Sequence, residues 1–508
     1  MTTGSIMFQG TGSDVGKSVL TAAMCRIFAR AGYDLAPFKS QNMALNSHIT
    51  KKGKEIGRAQ AVQAEAAMIN PTVDMNPILL KPNEDNNSQV IFRGQPYKNM
   101  TAKEYFAHHD KAYSIIENSL NNLHDEYEII VMEGGGSPAE INLRENDLVN
   151  MSVAEIRDTP VILVADIDKG GVFASIVGTL ELLQPEERER IKGIVINKFR
   201  GDVTRFNSGV EFIEEYTGKP VLGVIPYAQE INLPDEDSIY QASYGENDFD
   251  RESNLDIAVI YLPHISNFTD FDYFSHEPGV RIRYVKDKNK LGNPDLIIIP
   301  GSKNTIEDLN YIQKTGLVKT IIREHENDTP IIGICGGYQM LGREIYDPLH
   351  IETKRERVEG IGLLDLKTVL SSEKITTQVE AEDLGRLPFW QGMEYDALKG
   401  YEIHQGRTEL DSNLEYLFKI KRNEIESKIY DGAINTEKTV WGTYLHDIFK
   451  NDEFRRSLIN YLREKKGLNP LNDEIRSARE EREENYNQFA DLVKNNLDME
   501  KIYEIVFD

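Results

Sequence analysis

Two groups of residues have types and spacings that could do chemistry. The first follows an apolar run near the N-terminus and consists of Gly10, Thr11, Gly12, Ser13, Asp14, Val15, Gly16, Lys17 and Ser18. Glycines in such a loop let backbone N–H groups surround phosphate oxygens, and the following helix N-terminus adds positive potential. Lys17 would neutralise phosphate charge, and the Ser18 hydroxyl could bind Mg²⁺. The group predicts an ATP-binding phosphate loop rather than a glycine-rich turn that merely ends a strand.

The second group centres on Cys335, which lies between the apolar run Pro330 to Ile334 and a helical pattern. Glycines on both sides favour a sharp turn that exposes the sulfur, and the N–H of Gly336 could stabilise an oxyanion. This pattern predicts a nucleophilic thiol rather than a buried cysteine at a strand end. Cys25 lies within a helical pattern among apolar neighbours, so we expect it to be inert.

A thiol nucleophile needs a base, and His446 is the best candidate among the 10 histidines because it follows an apolar run late in the chain. Gly301 directly follows the run Asp295 to Pro300. Its position could supply a second backbone group for an oxyanion, although a simple turn would look the same. Cys335 and His446 are therefore the predicted catalytic pair, with Gly301 and Gly336 as predicted oxyanion residues.

Short β-branched runs alternate with helix-length segments along both halves of the chain. They are Ser5 to Gln9, Glu128 to Met132, Pro160 to Ala165, Gly193 to Asn197, Val221 to Ile225, Leu255 to Leu262, Asp295 to Pro300, Pro330 to Ile334 and Thr439 to Leu445. This alternation is typical of parallel sheets covered on both faces. The predicted fold class is α/β, with two doubly wound, mainly parallel-sheet domains and a helical C-terminal tail.

The predicted domain limits follow from this pattern and from local composition. Residues 1–232 form the phosphate-loop domain and residues 255–455 the thiol domain, separated by a linker at 233–254 that is rich in Asp, Glu, Ser and Asn. Residues 456–508 are charged with apolar stripes, including Leu458, Phe489 and Val493. We expect helices here that pack on the domains, with partner binding as the alternative.

Composition excludes several classes of protein. The chain has 508 residues, 40% of them hydrophobic, and a formal net charge of -25. A strongly acidic surface argues against nucleic acid or an anionic membrane as a general partner. Only 2 cysteines are present, so there is no disulfide framework, and a reducing cytoplasm is the expected location. No apolar run approaches the length of about 20 residues that a spanning helix needs.

The phosphate loop has one residue more than usual between its outer glycines, and it resembles the loop of dethiobiotin synthetase and its relatives. Those ATP enzymes phosphorylate a carboxylate. The resemblance implies that Lys39 reaches phosphate and the substrate carboxylate, and that Glu133 binds Mg²⁺ with Ser18. Asp166 stands where a second acidic Mg²⁺ ligand could lie, or is an ordinary strand-end residue. Asn197 resembles the base-recognition asparagine of such folds, with turn chemistry as the alternative.

The second half resembles class I glutamine amidotransferases, in which a cysteine on a sharp turn and a distant histidine hydrolyse glutamine through a thioester. Those enzymes usually carry a glutamate two residues after the histidine. Here Ile448 occupies that position. The third member of the site is therefore missing or supplied elsewhere.

Both halves together resemble the cobyric acid synthase family. The motifs that carry the resemblance are 40–46, 75–82, 134–143, 166–171 and 400–408, and one departure is Asp447, where glycine is expected. The resemblance implies amidation of the b, d, e and g carboxylates of (adenosyl)cobyrinic acid a,c-diamide, with ATP, Mg²⁺ and glutamine as ammonia donor.

Three alternatives stay open at this point. The first is the related synthase that amidates only the a and c side chains. The second is a partitioning-type ATPase switch, although such proteins usually carry a further lysine early in the loop, where Thr11 and Gly12 stand here. The third is a regulatory domain that has lost glutaminase activity. The sequence leaves the oligomeric state undefined.

Overall fold

The computed structural model describes residues 4–84, 87–228, 254–353, 355–390, 397–423, 425–472, 475 and 477–507. These residues fall into two compact units. The first unit comprises Met1–Ala44, Glu55–Glu236 and Arg479–Asp508, and the second comprises Leu45–Lys54 and Asp237–Ala478. The domain limits stay a prediction, and the units differ from them at two places, because segment 45–54 joins the second unit and the end of the chain joins the first. The predicted linker lies outside the described residues except for Asn254.

The described residues form strands that we number along the chain. They are β1 (Gly4–Gly10), β2 (Leu35–Phe38), β3 (Gln41–Met43), β4 (Ser47–Ile49), β5 (Glu55–Gly57), β6 (Ile78–Glu84), β7 (Asn87–Phe92), β8 (Gln95–Thr101), β9 (Ile129–Glu133), β10 (Val161–Asp166), β11 (Ile191–Phe199), β12 (Val221–Pro226), β13 (Leu255–Ile260), β14 (Val280–Val285), β15 (Leu296–Ile299), β16 (Ile331–Ile334), β17 (Glu344–Tyr346), β18 (Arg357–Glu359), β19 (Leu366–Asp383), β20 (Leu398–Leu410), β21 (Phe418–Arg422), β22 (Ile425–Asp431), β23 (Ala433–Ile434), β24 (Val440–Thr443) and β25 (Leu445–His446).

The α-helices of the same residues are α1 (Lys17–Arg30), α2 (Arg58–Ala66), α3 (Ala102–Phe106), α4 (His109–Glu126), α5 (Met151–Glu155), α6 (Val172–Leu182), α7 (Pro185–Arg190), α8 (Asn207–Thr217), α9 (Thr305–Lys314), α10 (Leu317–Glu326), α11 (Gly336–Leu341), α12 (Asp452–Lys465), α13 (Ala478–Asn495) and α14 (Met499–Phe507). Short 3-10 segments lie at Ile141–Asn146, Val203–Phe206, Phe268–His276, Lys288–Lys290 and Ile448–Lys450. No described helix is long and apolar enough to cross a membrane.

The first unit is built on a parallel sheet with strand order β12-β11-β10-β1-β9-β2. Successive residues of β1 point to opposite faces, so that Met7 joins one apolar cluster while Ile6 and Phe8 join another. Both faces are therefore covered, as the unbroken apolar runs predict. The second of these clusters contains side chains of α1 together with Phe489 and Val493 of α13. The prediction of a helical tail that packs on the fold is confirmed.

A smaller sheet in the first unit has the order β3-β6-β7-β8. Its strands β6, β7 and β8 pair antiparallel, and β3 pairs parallel with β6. This sheet was not predicted, because only Met100 of the seven residues of β8 is buried and Pro82 interrupts the apolar pattern of β6.

The second unit contains a sheet of order β14-β13-β15-β16-β24-β23, parallel except for the β23–β24 pair. Its central strands are wholly buried, including every residue of β15 and β16. A second, largely antiparallel sheet is organised around the long pair β19 and β20. The mainly parallel α/β class is confirmed, and the antiparallel sheet is an addition. The predicted limit at 455 falls inside α12.

Candidate active sites

The phosphate loop lies between β1 and α1, as predicted. Asp14 and Gly16 adopt positive φ angles of 58° and 95°, and Gly16 directly precedes the helix. A Cβ atom at Gly16 would lie 2.2 Å from Nδ2 of Asn197, so only glycine fits there without rearrangement. The Nζ atom of Lys17 donates to the carbonyl oxygens of Gly12 at 2.8 Å and Gly136 at 3.0 Å. The ammonium is thus held over the loop, where it can meet a phosphate group.

Glu133 is the centre of a buried polar cluster beside this loop. It is 1% exposed at the end of β9. Its Oε1 accepts hydrogen bonds from Ser18 Oγ at 2.7 Å and Lys39 Nζ at 2.8 Å, while Oε2 accepts one from Gln63 Nε2 at 2.6 Å. Burial by itself raises the pKa of Glu133, but the charge of Lys39 and these hydrogen bonds outweigh it and lower the pKa. The carboxylate is therefore held ionised.

Three predicted site residues, Ser18, Lys39 and Glu133, are brought together by this cluster. Gln63 was not predicted. The available signal was the pair Gln60 and Gln63, which lie one turn apart on α2 and are both buried, unlike typical glutamines. In the sequence, the pair is visible as two glutamines three residues apart in an alanine-rich helical pattern.

The donor set around Glu133 fits a magnesium ion. Mg²⁺ prefers hard oxygen ligands and is usually held by one or two carboxylates together with substrate phosphates and water. Ser18 and Glu133 supply a hydroxyl and a carboxylate within hydrogen-bond distance of each other. Among the described residues, no group of three or more His, Cys, Asp or Glu side chains is arranged to hold a metal, which is the arrangement a dedicated protein cage would need.

Asp166 and Asn197 contact residues other than Glu133. Asp166 Oδ1 accepts a hydrogen bond from the Asp168 N–H at 2.8 Å, and Oδ2 lies 3.1 Å from Lys198 Nζ. Asn197 Nδ2 donates to the carbonyl oxygen of Val15 at 2.9 Å and so holds the phosphate loop in place. The roles of Asp166 in metal binding and of Asn197 in base recognition stay predictions.

Cys335 occupies a strained turn between β16 and α11. Its φ and ψ angles are 51° and -107°, outside the favoured regions for a residue with a side chain. Strain of this kind costs about 1–3 kcal/mol and persists where the surrounding structure enforces it. The Cys335 N–H donates to Thr443 O at 2.8 Å, and a Cβ atom at Gly337 would lie 1.9 Å from Ile299 O. The close approach of β15 therefore requires glycine at position 337, two residues after the cysteine.

His446 lies in β25, beside the thiol. Its Nδ1 atom is 2.6 Å from Asp270 Oδ2, and both side chains are almost fully buried. Nε2 has no hydrogen-bond partner of good geometry among the described residues. The Cys335 thiol is close enough to contribute to the raised pKa of His446. Long thiol–imidazole contacts are common before substrate binds. Cys335, His446 and Asp270 thus have the arrangement of a nucleophile, its base and the group that orients the base.

The Asp270 carboxylate changes the proton affinity of His446. Burial alone lowers the pKa of an imidazole, but the charge of Asp270, with a further contribution from Cys335, outweighs burial and raises the pKa of His446 above its ordinary value. Burial raises the pKa of Asp270, and the neighbouring imidazole opposes that rise. His446 can therefore hold a proton taken from the thiol.

Asp270 is the candidate for the third member of the thiol site, because it contacts Nδ1 of His446. Ile448, two residues after the histidine, is buried among apolar side chains and has no acidic group to offer. The Asp447 N–H donates to Asp270 Oδ1 at 3.3 Å, and Asp447 has a φ of 58°, which explains why glycine is expected at that position. The available signal for Asp270 was its place in the segment that follows β13, at the carboxyl end of the parallel sheet.

Of the two predicted oxyanion residues, Gly336 directly follows Cys335 and Gly301 lies beside His446. A Cβ atom at Gly336 would be 2.9 Å from the Ser302 nitrogen, and one at Gly301 would be 3.2 Å from His446 Cε1. The turn 301–302 and the N-terminus of α11 therefore approach each other closely. Ser302 Oγ donates to Asp308 Oδ2 at 2.6 Å, which fixes this turn. The arrangement can stabilise a tetrahedral oxyanion formed when a thiolate attacks an amide.

Fold and site together define a glutamine amidotransferase joined to a P-loop nucleotide-binding domain. Residues 256–454 match the CobB/CobQ-like glutamine amidotransferase domain, and residues 6–239 match the CobQ/CobB/MinD/ParA nucleotide binding domain. A glutamine amidotransferase domain and a nucleotide-binding domain therefore belong to one chain.

Curated relatives extend the match over nearly the whole chain. The cobyric acid synthase of Streptococcus sanguinis is 50% identical over 503 residues, which cover 99% of this chain and 98% of the relative. That of Thermoanaerobacter sp. is 49% identical with the same coverages, and that of Clostridium botulinum is 49% identical over 504 residues and 99% of each chain. The chain belongs to the cobyric acid synthase family. It is an amide-forming ligase of cobalamin biosynthesis, with a nucleotide-binding and a glutaminase domain.

Proposed function

We propose that this enzyme amidates the b, d, e and g carboxylates of (adenosyl)cobyrinic acid a,c-diamide, using ATP and glutamine, and releases cobyric acid. The observation that carries the proposal is the match of about half of all residues to cobyric acid synthases from end to end. The two sites supply the two half-reactions that this overall chemistry requires.

In the glutaminase half-reaction, His446 accepts the proton of Cys335, and the sulfur attacks the carboxamide carbon of glutamine. Backbone groups at Gly301 and Gly336 stabilise the resulting oxyanion. The protonated imidazole then donates its proton to the leaving nitrogen, which departs as ammonia and leaves a thioester. Water attacks the thioester, releases glutamate and restores the thiol. Asp270 holds His446 in the orientation that these proton transfers need.

In the ligase half-reaction, a corrinoid carboxylate attacks the γ-phosphorus of ATP, giving an acyl phosphate and ADP. Ammonia then attacks the acyl carbon, giving the amide and inorganic phosphate. Lys17 and Lys39 are placed to offset phosphate and carboxylate charge. Ser18 and Glu133 would hold the magnesium ion, which neutralises phosphate charge when it is bound.

Product mass tests this proposal. Purified protein is incubated with cobyrinic acid a,c-diamide, ATP, Mg²⁺ and glutamine, and in parallel with cobyrinic acid. We expect four carboxylate-to-amide conversions of the diamide. Two conversions of cobyrinic acid, with no reaction of the diamide, would instead establish the a,c-diamide synthase. ATP hydrolysis with no amide from either corrinoid would refute the ligase proposal.

A further inference from the structure

Asp308 is a buried carboxylate that the glutaminase half-reaction does not use. It lies in the first turn of α9 and is 0% exposed. The apolar residues beside it on this helix, Ile306 and Leu309, pack in the main core of the unit. A carboxylate removed from water costs free energy unless hydrogen bonds or opposite charges offset the loss. The groups that Asp308 binds therefore indicate what the charge is for.

Asp308 binds two loops at the carboxyl ends of neighbouring parallel strands, loop 262–266 after β13 and loop 301–304 after β15. Its Oδ1 lies 2.8 Å from Nδ1 of His264, and its two oxygens accept the His264 N–H at 3.2 and 3.1 Å. Oδ2 accepts a hydrogen bond from Ser302 Oγ at 2.6 Å. The hydrogen bond to Asp308 raises the pKa of His264 and outweighs partial burial, which alone would lower it. One carboxylate thus holds both loops.

The two loops also pair with each other through their backbones. The Lys303 N–H donates to His264 O at 2.8 Å, and the Ser266 N–H donates to Gly301 O at 3.0 Å. Ser302 faces Ile265 in this short antiparallel bridge. Successive residues of an antiparallel pair direct their hydrogen-bonding groups to opposite sides. The Ser302 N–H therefore points away from loop 262–266.

The side to which the Ser302 N–H points is that of the thiol. A Cβ atom at Gly336, the residue after Cys335, would lie 2.9 Å from the Ser302 nitrogen. Ser302 Oγ, besides donating to Asp308, accepts the Asn304 N–H at 3.0 Å. This side chain therefore closes the turn that presents the N–H. Backbone donors are effective in catalysis when they are held in place before negative charge develops.

We propose that Asp308 is a positioning residue of the glutaminase, which keeps the Ser302 N–H aimed at the oxyanion that forms on the glutamine amide. Asp308 touches no reacting atom and acts through Ser302 Oγ and through the paired loop 262–266. The inference rests on the proposed glutaminase half-reaction and adds the residue that holds turn 301–302. Its physical basis is that a displacement of about 1 Å at a reacting group can cost about 100-fold in rate.

The base of the thiol site is held by other contacts. The Asp270 N–H donates to Asn267 O at 3.1 Å, and Asp270 Oδ1 accepts the Asp447 N–H at 3.3 Å. Neither bond involves Asp308 or Ser302. Loss of the Asp308 contacts should therefore displace the oxyanion donor and leave the transfer of the thiol proton to His446 in place. These two effects can be measured separately.

Two variants and one control are suited to this test. Asp308→Asn removes the charge and replaces one acceptor oxygen by an amide donor, so it cannot accept the same set of hydrogen bonds. Ser302→Ala removes a single hydroxyl from a partly exposed residue, and it decides the question if Asp308→Asn does not fold. Glu307→Gln makes the same chemical change as Asp308→Asn at the preceding residue of α9, which is exposed. Urea unfolding establishes which of the proteins are folded.

Glutamate release is measured over a range of glutamine concentrations, without corrinoid. We expect kcat to fall about 30-fold or more in Asp308→Asn and about 10-fold in Ser302→Ala, because an interaction made only in the transition state is weakened. KM for glutamine should stay within about threefold of wild type, since the bound amide carries no oxyanion. Glu307→Gln should keep the wild-type kcat. A wild-type kcat in folded Asp308→Asn or in Ser302→Ala would overturn the proposal.

Iodoacetamide alkylation of Cys335, followed by mass spectrometry, distinguishes a displaced oxyanion donor from a general disturbance of the site. The thiolate displaces iodide from a saturated carbon, so no oxyanion forms. The alkylation rate of both variants should therefore stay within about twofold of wild type. An alkylation rate that falls as far as glutamate release would overturn the proposal. Absence of corrinoid amidation in wild type would refute the proposed function instead, and these two measurements would still decide the inference, because neither uses a corrinoid.

Discussion

Asp270 Oδ2 lies 2.6 Å from Nδ1 of His446, although the two residues are 176 positions apart in sequence. Asp270 is our candidate for the role of the glutamate that class I amidotransferases usually carry two residues after the histidine. Because the oxygen contacts Nδ1, it leaves Nε2 to face the thiol. A glutaminase of this chain can therefore be complete without an acidic residue at position 448.

Substitution of Asp270 tests this relationship. Asp270→Asn removes the charge that holds the imidazole, so glutamine-dependent amide formation should fall about 100-fold or more. Amide formation from free ammonia should be unchanged, since the ligase half-reaction does not use His446. Asp272→Asn, on the same 3-10 segment, is the control. Wild-type glutamate release by Asp270→Asn would exclude it from the triad.

Cys335→Ser tests the nucleophile. A serine hydroxyl is a far weaker nucleophile than a thiolate, so glutamate release should be abolished. Product formation with ammonium chloride should remain close to that of wild type. Retained glutamine turnover in the variant would refute the role of the thiol.

Glu133→Gln tests the ligase site. The substitution removes the charge that Ser18, Lys39 and Gln63 surround, and ammonia-dependent amide formation should fall by about 100-fold. Glutamate release with glutamine alone should change little. Glu128→Gln, before the start of the same strand, is the matched control. A wild-type ammonia-dependent rate in Glu133→Gln would show that this carboxylate has no part in the reaction.

The His446–Asp270 pair predicts a pH dependence of stability. A histidine whose pKa is raised in the folded state stabilises that state fully below its unfolded value of about 6.5, and the contribution is lost as pH rises toward the folded value. The unfolding midpoint of wild type relative to Asp270→Asn should therefore decrease steadily between pH 6 and pH 9. Urea unfolding of both proteins measures this difference. A difference that stays constant over that range would contradict the raised pKa.

Cys25 provides a contrast within the same chain. Burial in the apolar core raises the pKa of its thiol, with a smaller contribution from Glu133. Iodoacetamide should therefore modify Cys335 and leave Cys25 unmodified in the native protein. Cys25→Ala should keep both half-reactions and cost about 1 kcal/mol of unfolding free energy, as for removal of a small buried group. Rapid labelling of Cys25 would show that the first unit opens locally.

Much of the fold could be predicted because its central sheets are parallel. Strands buried on both faces appear as continuous apolar runs, and nine such runs in the sequence correspond to strands β1, β9, β10, β11, β12, β13, β15, β16 and β24. The antiparallel strands β19 and β20 escaped prediction because many of their residues are only partly buried, so their alternation is weak. The strand β3 has only three residues, which is too short to show an alternation of apolar and polar side chains.

Candidate site residues could be predicted where the neighbouring residues in the sequence show the backbone conformation that the site needs. Glycine spacing revealed the phosphate loop and Cys335, since each needs a particular backbone path. Asp270 and Gln63 were not predictable in this way, because each acts through one side-chain contact with a residue distant in sequence. Segment 45–54 was also missed, since its assignment to the second unit depends on tertiary packing alone.

Isotope transfer decides whether nitrogen released from glutamine becomes the amide nitrogen of the product. Wild-type protein is incubated with glutamine labelled with ¹⁵N in its side-chain amide, together with ATP, Mg²⁺, cobyrinic acid a,c-diamide and unlabelled dilute ammonium. We expect ¹⁵N in every new amide of the product, with one glutamate and one ADP formed for each amide. Product amides that carry only unlabelled nitrogen, or labelled amides formed without ADP, would contradict it.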